Sequence, residues 1–353
     1  MAGLLAGVAV LFGLAALPAA AAAKAPSDPR AGSQQPLKIM RVAAAVARAG
    51  RLRDVPVLVA DTGLDLANPD LRGRLFRLPR AVKAPNPDGV PDPGTVAKGA
   101  AGWDLIGTDA PGALAPDADP SDPPGGSGHG TLVAGLLGAA WNNRVGGAGI
   151  APNARFVALR TCWDDDQCYQ YVQAAAFGWA AARGVRVVSM SWLAGDAEPD
   201  FTAAIRRAKR TLFVAIPSGP EPGANIDGEA RAPCTLNLPN ILCVTTSSPS
   251  GGVSCGAVGP RSVDVAVPVE NSVTTGVGGA TGVPTACATS FAAPTAAGVA
   301  TILFGAVPKA TPAQVRAAIV AGARRTAGFR GKTVSGGVID ADAALRILRA
   351  RVK

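Results

Sequence analysis

Short apolar runs, each followed by a segment with helical spacing, limit the architectures that this sequence can adopt. Residues 55–60 are all apolar, which is typical of a strand buried on both faces of a parallel sheet. Because strands and helices alternate from there onwards, the sequence predicts an α/β fold of three layers, in which helices flank a central, mostly parallel sheet. Further strands are predicted over residues 155–160, 185–191, 211–216, 241–245 and 263–267, and further helices over residues 169–183, 199–210, 290–304 and 311–322.

The beginning of the chain differs in composition from everything that follows. Residues 1–23 carry no charged side chain and contain Ala-x-Ala sequences just before Lys24. They predict a secretory signal peptide, with an uncleaved membrane anchor as the alternative, because the run is nearly long enough to span a bilayer. Residues 24–36 are polar and contain proline, so we interpret them as a linker. A single folded domain is then expected over residues 37–353, beginning with a helix over residues 37–49.

Six cysteines in a chain with a predicted export signal favour disulfides. Pairing of nearest neighbours gives Cys162–Cys168 and Cys234–Cys243, and leaves Cys255–Cys287. A cysteine metal site is the alternative, but no Cys-x-x-Cys sequence occurs. We therefore predict three bridges and no metal ligand among the cysteines.

The net charge of +9 comes from arginines that are scattered over the chain. A scattered excess of this kind is typical of a solvated surface, whereas nucleic-acid binding favours a clustered patch with stacking aromatic side chains. Aromatic residues make up only 5% of this chain. We therefore expect no nucleic-acid partner, contact with a membrane only if residues 1–23 remain attached, and a monomer.

Three polar residues stand at the ends of predicted elements. Asp61 follows the first strand, at the edge where parallel sheets build their sites. His129 is the only histidine of the chain and opens an apolar helix between two glycines, while Ser290 opens a later helix. Taken singly, each has an ordinary structural interpretation: a turn aspartate, a core histidine and an N-cap serine. Taken together, they are the groups that a hydroxyl nucleophile needs for activation by a histidine and a buried carboxylate.

The residues around these three side chains form recognisable motifs. Residues 59–65 with 68–71, residues 128–135 and residues 288–294 resemble the Asp, His and Ser motifs of the subtilisin-like serine proteases, in that order. The resemblance extends over about residues 37–348. It implies a secreted serine endopeptidase that hydrolyses peptide bonds of protein or peptide substrates through an acyl-enzyme on Ser290 and needs no cofactor. His129 would be the general base and acid, and Asp61 its orienting partner.

One departure from the family pattern concerns the oxyanion. Where these proteases usually have Ala-Ala-Gly-Asn, the chain has residues 216–219, Ile-Pro-Ser-Gly, so the usual asparagine donor is absent. Ser218 is the first candidate for its replacement, followed by Asn225 and by the backbone N–H of Ser290 acting with a water. The alternative function is a secreted pseudoprotease that binds peptides or a partner protein with little turnover. An α/β-hydrolase esterase is disfavoured, because no Gly-x-Ser-x-Gly sequence surrounds the serine.

The resemblance also indicates where substrate and metal ions would bind. Ser191, Leu193 and Gly195 follow the strand that lines the substrate groove in the family, and the scarcity of charge there favours a large apolar P1 residue. Structural calcium is common among relatives. The aspartate-rich stretches 117–122 and 164–166 are candidates for such sites and could equally be solvated loops, so we claim no metal site.

Overall fold

The computed structural model describes residues 25–87, 89, 92–108, 110, 113–123, 125–163, 167–219, 221–282 and 287–352. The predicted signal peptide and the aspartates at positions 164–166 lie outside these residues. The helices are α1 Gln35–Ile39, α2 Val42–Ala49, α3 His129–Gly138, α4 Gln170–Ala182, α5 Pro199–Arg207, α6 Ala292–Ala306, α7 Pro312–Gly322 and α8 Ala341–Arg351. The strands are β1 Val55–Asp61, β2 Val82–Lys83, β3 Thr95–Val96, β4 Gly102–Asp104, β5 Ala154–Arg160, β6 Val187–Met190, β7 Leu212–Ala215, β8 Ile241–Ser247, β9 Val265–Pro268, β10 Thr274–Thr275, β11 Thr281–Gly282, β12 Arg324–Arg325 and β13 Gly337–Val338.

A nine-stranded sheet runs through the domain in the order β12-β13-β9-β8-β7-β6-β1-β5-β4. Every neighbouring pair in it is parallel except β12 with β13. The register of β1 with β5 runs from Val55 opposite Ala154 to Asp61 opposite Arg160. The predicted α/β fold with a mostly parallel sheet is confirmed.

The central strand β1 shows how the three layers form. Val57 and Val59 belong to the apolar cluster that includes α6, whereas Leu58 and Ala60 belong to the cluster that includes α4 and α5. All four side chains are buried. Since successive side chains of a strand point to opposite faces, an uninterrupted apolar run supplies both layers of helices with packing partners.

Helix α6 lies in the core against the sheet, and its residues Ala292–Gly305 are buried. A Cβ at Gly298 would lie 2.5 Å from the Cβ of Ile150, so only glycine allows this close approach. Among the described residues, the helical run Thr289–Ala306 is the one long and apolar enough to cross a membrane. In this fold, 83% of that run is buried inside the protein.

The N-terminal part of the domain departs from the prediction in two places. The helix expected over residues 37–49 is divided into α1 and α2, because Arg41 adopts a left-handed backbone conformation with φ of 57°. Residues 25–34, interpreted as part of a linker, are instead fixed to the domain. The buried carboxylate of Asp28 accepts hydrogen bonds from the backbone N–H groups of residues 142–144, and the buried Gln34 bonds to both backbone groups of Ala148. Composition alone does not reveal these distant partners.

All three predicted disulfides are present. Cys162–Cys168 closes the segment after β5, and Cys234–Cys243 fastens a short turn to β8. Cys255–Cys287 spans 32 positions and joins the segment after β8 to the residues just before Ser290. The described cysteines include no free thiol.

Candidate active site

Asp61 is the last residue of β1, and its side chain is buried at the carboxyl edge of the sheet. Its backbone carbonyl accepts the N–H groups of Thr161 and Cys162 at 2.9 and 3.1 Å, which fixes the end of the strand against the next one. Its carboxylate oxygen Oδ1 accepts the N–H of Thr62 at 2.9 Å. The same oxygen lies 2.8 Å from Nδ1 of His129.

His129 is the first residue of α3 and is 8% exposed. Gly128 precedes it with φ of 63°, a conformation that glycine adopts easily. Gly130 follows it, and a Cβ there would lie 2.1 Å from the carbonyl oxygen of Gly63. The two glycines therefore let the start of the helix approach the loop after Asp61. Because an ionised carboxylate only accepts hydrogen bonds, Nδ1 carries the proton towards Asp61 and Nε2 is left as the basic nitrogen.

Ser290 lies in the 3-10 turn Thr289–Phe291, directly before α6, and is half-buried. This turn contacts α3, the helix that begins with His129. Cys287, three positions before Ser290, is fixed through its disulfide with Cys255. The structure thus joins Asp61 to His129 by a hydrogen bond and holds Ser290 on a turn that packs against the histidine's helix. A hydroxyl at this place also lies near the helix N-terminus, whose field favours an oxyanion.

The two oxyanion candidates lie on the segment that follows β7. Ser218 comes three residues after the strand and is half-buried. Asn225 is exposed, forms an isolated bridge with Val258, and accepts the N–H of Asp227 on its Oδ1 at 3.0 Å. Ser218 is therefore nearer to the carboxyl end of a central strand, whereas the side-chain oxygen of Asn225 is occupied in a local turn.

The three candidate substrate residues follow β6. Ser191 is buried, and no partner among the described residues bonds to its hydroxyl oxygen. Leu193 is 54% exposed. Gly195 is exposed, and its carbonyl accepts the N–H of Ala232 at 2.9 Å. The segment therefore presents one apolar side chain to solvent and is anchored to the segment that follows β7.

Sequence reasoning missed a buried carboxylate beside these residues. Asp122 belongs to the aspartate-rich stretch 117–122, for which a calcium site and a solvated loop were equal alternatives, but it is only 6% exposed and contacts Thr62 and Thr131. In contrast, Asp117 and Asp119 are exposed and accept backbone N–H groups of their own loop. Burial raises the pKa of Asp122, the hydrogen bonds from Thr131 and Thr62 lower it, and the charge of Asp61 raises it further, so the net direction is upward.

These acidic groups do not form a metal cage. The carboxylates of Asp117, Asp119 and Asp122 each accept hydrogen bonds from the protein. No group of three or more His, Cys, Asp or Glu side chains suited to a metal ion occurs in the described ranges.

The mostly parallel sheet carries Asp61 at the end of β1, with His129 bonded to it and Ser290 on a turn that contacts the helix of His129. A solved structure of proteases from Pseudoalteromonas arctica shares this fold, with a TM-score of 0.71, 23% identity, and coverage of 92% of this chain and 100% of that chain. The sequence profile of the subtilase family matches residues 53–338. The chain belongs to the subtilase family.

Individual relatives share 27–29% of the aligned residues with this chain. Thermitase from Thermoactinomyces vulgaris is 29% identical over 168 residues, which are 47% of this chain and 47% of thermitase. Subtilisin BL from Lederbergia lenta is 27% identical over 224 residues, covering 63% of this chain and 78% of subtilisin BL. An extracellular protease of Xanthomonas campestris is 29% identical over 236 residues, covering 62% of this chain and 40% of that protease. The match thus spans about half the length of thermitase.

Proposed function

We propose that this protein is a serine endopeptidase that hydrolyses peptide bonds, with Asp61, His129 and Ser290 as its catalytic residues. The observation that carries the proposal is the hydrogen bond of 2.8 Å between Asp61 and the only histidine of the chain. A buried carboxylate bonded to the first residue of a helix, beside a turn that bears a serine, is the arrangement that activates a hydroxyl nucleophile. Membership of the subtilase family supports the same interpretation.

The proposed reaction has two stages. His129 Nε2 takes the proton of the Ser290 hydroxyl as its oxygen attacks the scissile carbonyl carbon, and the imidazolium then gives that proton to the leaving amine. An ester between Ser290 and the acyl half of the substrate remains. A water molecule, deprotonated by His129, attacks this ester and releases the new carboxyl terminus and the free serine. Asp61 holds the imidazole tautomer throughout and stabilises the imidazolium.

The negative oxygen of each tetrahedral intermediate needs hydrogen-bond donors. We propose the backbone N–H of Ser290 and the hydroxyl of Ser218 as these donors, with Asn225 as the second candidate for the side-chain contribution. Ser218 is favoured because it lies closer to the carboxyl end of β7. The side-chain oxygen of Asn225 accepts a hydrogen bond from the N–H of Asp227, so only the side-chain NH₂ remains for this role.

We further propose that Ser191, Leu193 and Gly195 border the substrate groove and favour a large apolar P1 residue. Secretion is supported by the apolar residues 1–23, by the three disulfides and by the relative from Xanthomonas campestris that is named an extracellular protease. The substrates are accordingly extracellular peptides or proteins.

A peptide-cleavage assay tests the proposal. The purified protein is incubated with synthetic peptides that differ only at P1, in water enriched in oxygen-18, and the products are analysed by mass spectrometry. We expect new termini after large apolar residues, one heavy oxygen in each new carboxylate, and no cleavage by the Ser290→Ala variant.

A pseudoprotease is the second candidate, because residues 216–219, Ile-Pro-Ser-Gly, lack the asparagine that ends the family's usual Ala-Ala-Gly-Asn. Such a protein would leave every peptide intact while retaining some of them on a column. The Ser290→Ala variant would retain them equally well, and this combination of results would contradict the proposed hydrolysis.

A further inference from the structure

Asp122 is a buried charged group that the proposed reaction does not use. It is only 6% exposed, and no lysine or arginine of the described residues forms an ion pair with it. Burying a carboxylate without a cationic partner is costly, so its other contacts must stabilise it. These contacts lead to the residues next to Asp61 and next to His129.

One oxygen of Asp122 is bound to the loop after Asp61. Its Oδ1 accepts the hydroxyl of Thr62 at 2.5 Å, and the Thr62 hydroxyl in turn accepts the N–H of Gly130 at 2.9 Å. Thr62 follows Asp61 in sequence, and Gly130 follows His129. A single hydroxyl therefore connects both segments to the carboxylate.

The other oxygen of Asp122 is bound to the first turn of α3. Its Oδ2 accepts the backbone N–H of Thr131 at 3.0 Å and also the Thr131 hydroxyl. That hydroxyl accepts the N–H of Asp65 at 2.8 Å, so its own proton points to Asp122. The carboxylate receives three donors and gives none, which is the pattern of an ionised group. Its charge also faces the positive end of a helix.

The backbone around Asp122 is closely packed. Its N–H donates to the carbonyl of Leu64 at 3.3 Å, and the N–H of Leu64 donates to the carbonyl of Pro120 at 3.1 Å. Gly63 has φ of 119°, and a Cβ there would lie 2.8 Å from the N atom of Asp122. The segment that carries Asp122 is thus held directly against the loop that carries Asp61.

We propose that ionised Asp122 is a positioning residue for the Asp61–His129 pair. This inference rests on the proposed function. It holds the loop after Asp61 and the first turn of α3 at fixed positions relative to each other. The carboxylate of Asp61 therefore stays within hydrogen-bond distance of the His129 imidazole. Asp122 contacts Thr131, which lies only two residues after His129. Its negative charge therefore also favours the imidazolium form of His129. Asp122 touches neither the nucleophile nor the substrate in this account.

The test compares how fast a fluorophosphonate inactivates the protein and several variants between pH 5 and pH 9. This rate needs no knowledge of the substrate and rises with pH as His129 loses its proton. For Asp122→Asn we expect a loss of about 10-fold to 100-fold in the limiting rate, because the pair is misplaced. We also expect the midpoint of the pH profile to fall by about half a pH unit, since removal of a nearby negative charge destabilises the imidazolium.

The matched control is Asp119→Asn, which removes the same charge three residues away at an exposed position of the same loop. It should change the rate by less than about twofold and leave the midpoint in place, because exposed charges are screened by solvent. Should Asp122→Asn fail to fold, Thr131→Val and Thr131→Ser replace it. The valine variant should be slowed by about 10-fold, and the serine variant, which keeps the hydroxyl donor, should stay within about twofold of the unaltered protein.

The outcomes separate this inference from the proposed function. If the unaltered protein does not react, the proposed function fails first. If it reacts, but Asp122→Asn behaves like Asp119→Asn, Asp122 has no positioning role. A lower rate with an unmoved midpoint, in proportion to a loss of folded protein, would show a merely structural role and would also overturn the proposal.

Discussion

Ser218 carries the least usual part of the proposed site, since the family pattern has its asparagine one position later, where this chain has Gly219. If its hydroxyl donates to the oxyanion, Ser218→Ala should lower kcat by about 10-fold or more and change KM by less than about twofold, because the bond forms mainly in the transition state. Steady-state kinetics on one peptide with an apolar P1 residue measures both constants.

Two further variants make this test specific. Ser218→Asn replaces the hydroxyl donor by an amide donor and should keep or exceed the original kcat. Asn225→Ala should have little effect, because its side-chain oxygen serves a local turn. The assignment would be contradicted by full activity of Ser218→Ala together with a large loss in Asn225→Ala.

At the residue scale, sequence motifs predicted the contact between Asp61 and His129, because each residue lies within a short local pattern. The same patterns missed Asp122, whose partner Thr62 is 60 positions away and whose neighbours Asp117 and Asp119 are exposed. Composition of a loop does not distinguish a solvated aspartate from one that folds inwards. The available signal was Thr131 after His129, a hydroxyl in the first turn of a helix that is suited to a nearby carboxylate.

At the scale of elements, Gly298 allows α6 to pack closely against Ile150. Gly298→Ala should lower the free energy of unfolding by about 1–3 kcal/mol, because the new methyl group would meet Ile150 at 2.5 Å and force the core to shift. Gly178 in α4 is the matched control, since it is exposed and a Cβ there meets nothing within 4 Å. Gly178→Ala should stabilise the protein by up to about 1 kcal/mol through helix propensity.

Urea denaturation of both variants measures these changes in the free energy of unfolding. Equal effects of the two substitutions would show that the close contact between α6 and Ile150 does not constrain the packing of the core. The packing of the helix behind Ser290 would then need another explanation.

Element boundaries were predictable where a local signal marks them. Thr311 caps α7 in a capping box with Gln314, with Pro312 next to it, and the predicted helix over residues 311–322 matches the observed one closely. The break between α1 and α2 carries no such signal, because Arg41 is not a residue that usually adopts a positive φ. Arg41 bonds instead to Asp340 and Asp342, which are 299 and 301 positions away.

At the scale of the whole molecule, Asp342 ties the first helices to the last. It is buried and accepts hydrogen bonds from Arg41 and Arg48 of the N-terminal region, with Arg346 of α8 close by. Burial alone would raise the pKa of Asp342, but the hydrogen bond from Arg48 and the charges of the arginines lower it. Because the folded pKa is depressed, this carboxylate stabilises the fold above the ordinary aspartate range and loses that contribution as the pH falls through the folded pKa.

The overall architecture was predictable because the strands at the centre of the sheet, such as β1, β6 and β7, are mostly apolar runs, and the disulfides followed from pairing of neighbours. The placement of residues 25–34 was not, since Asp28 and Gln34 find their partners more than 100 positions away. Long-range hydrogen bonds of single polar residues leave no periodic pattern. These bonds are the part of the fold that only the three-dimensional structure reveals.

Covalent labelling by a fluorophosphonate tests the central claim most directly, because it reports an activated serine without any assumption about the substrate. We predict one adduct per molecule, located on Ser290 by peptide mass spectrometry, absent from Ser290→Ala and formed much more slowly by His129→Ala. Folded protein that forms no adduct, or an adduct on another serine that persists in Ser290→Ala, would contradict the assignment of Asp61, His129 and Ser290 as one catalytic unit.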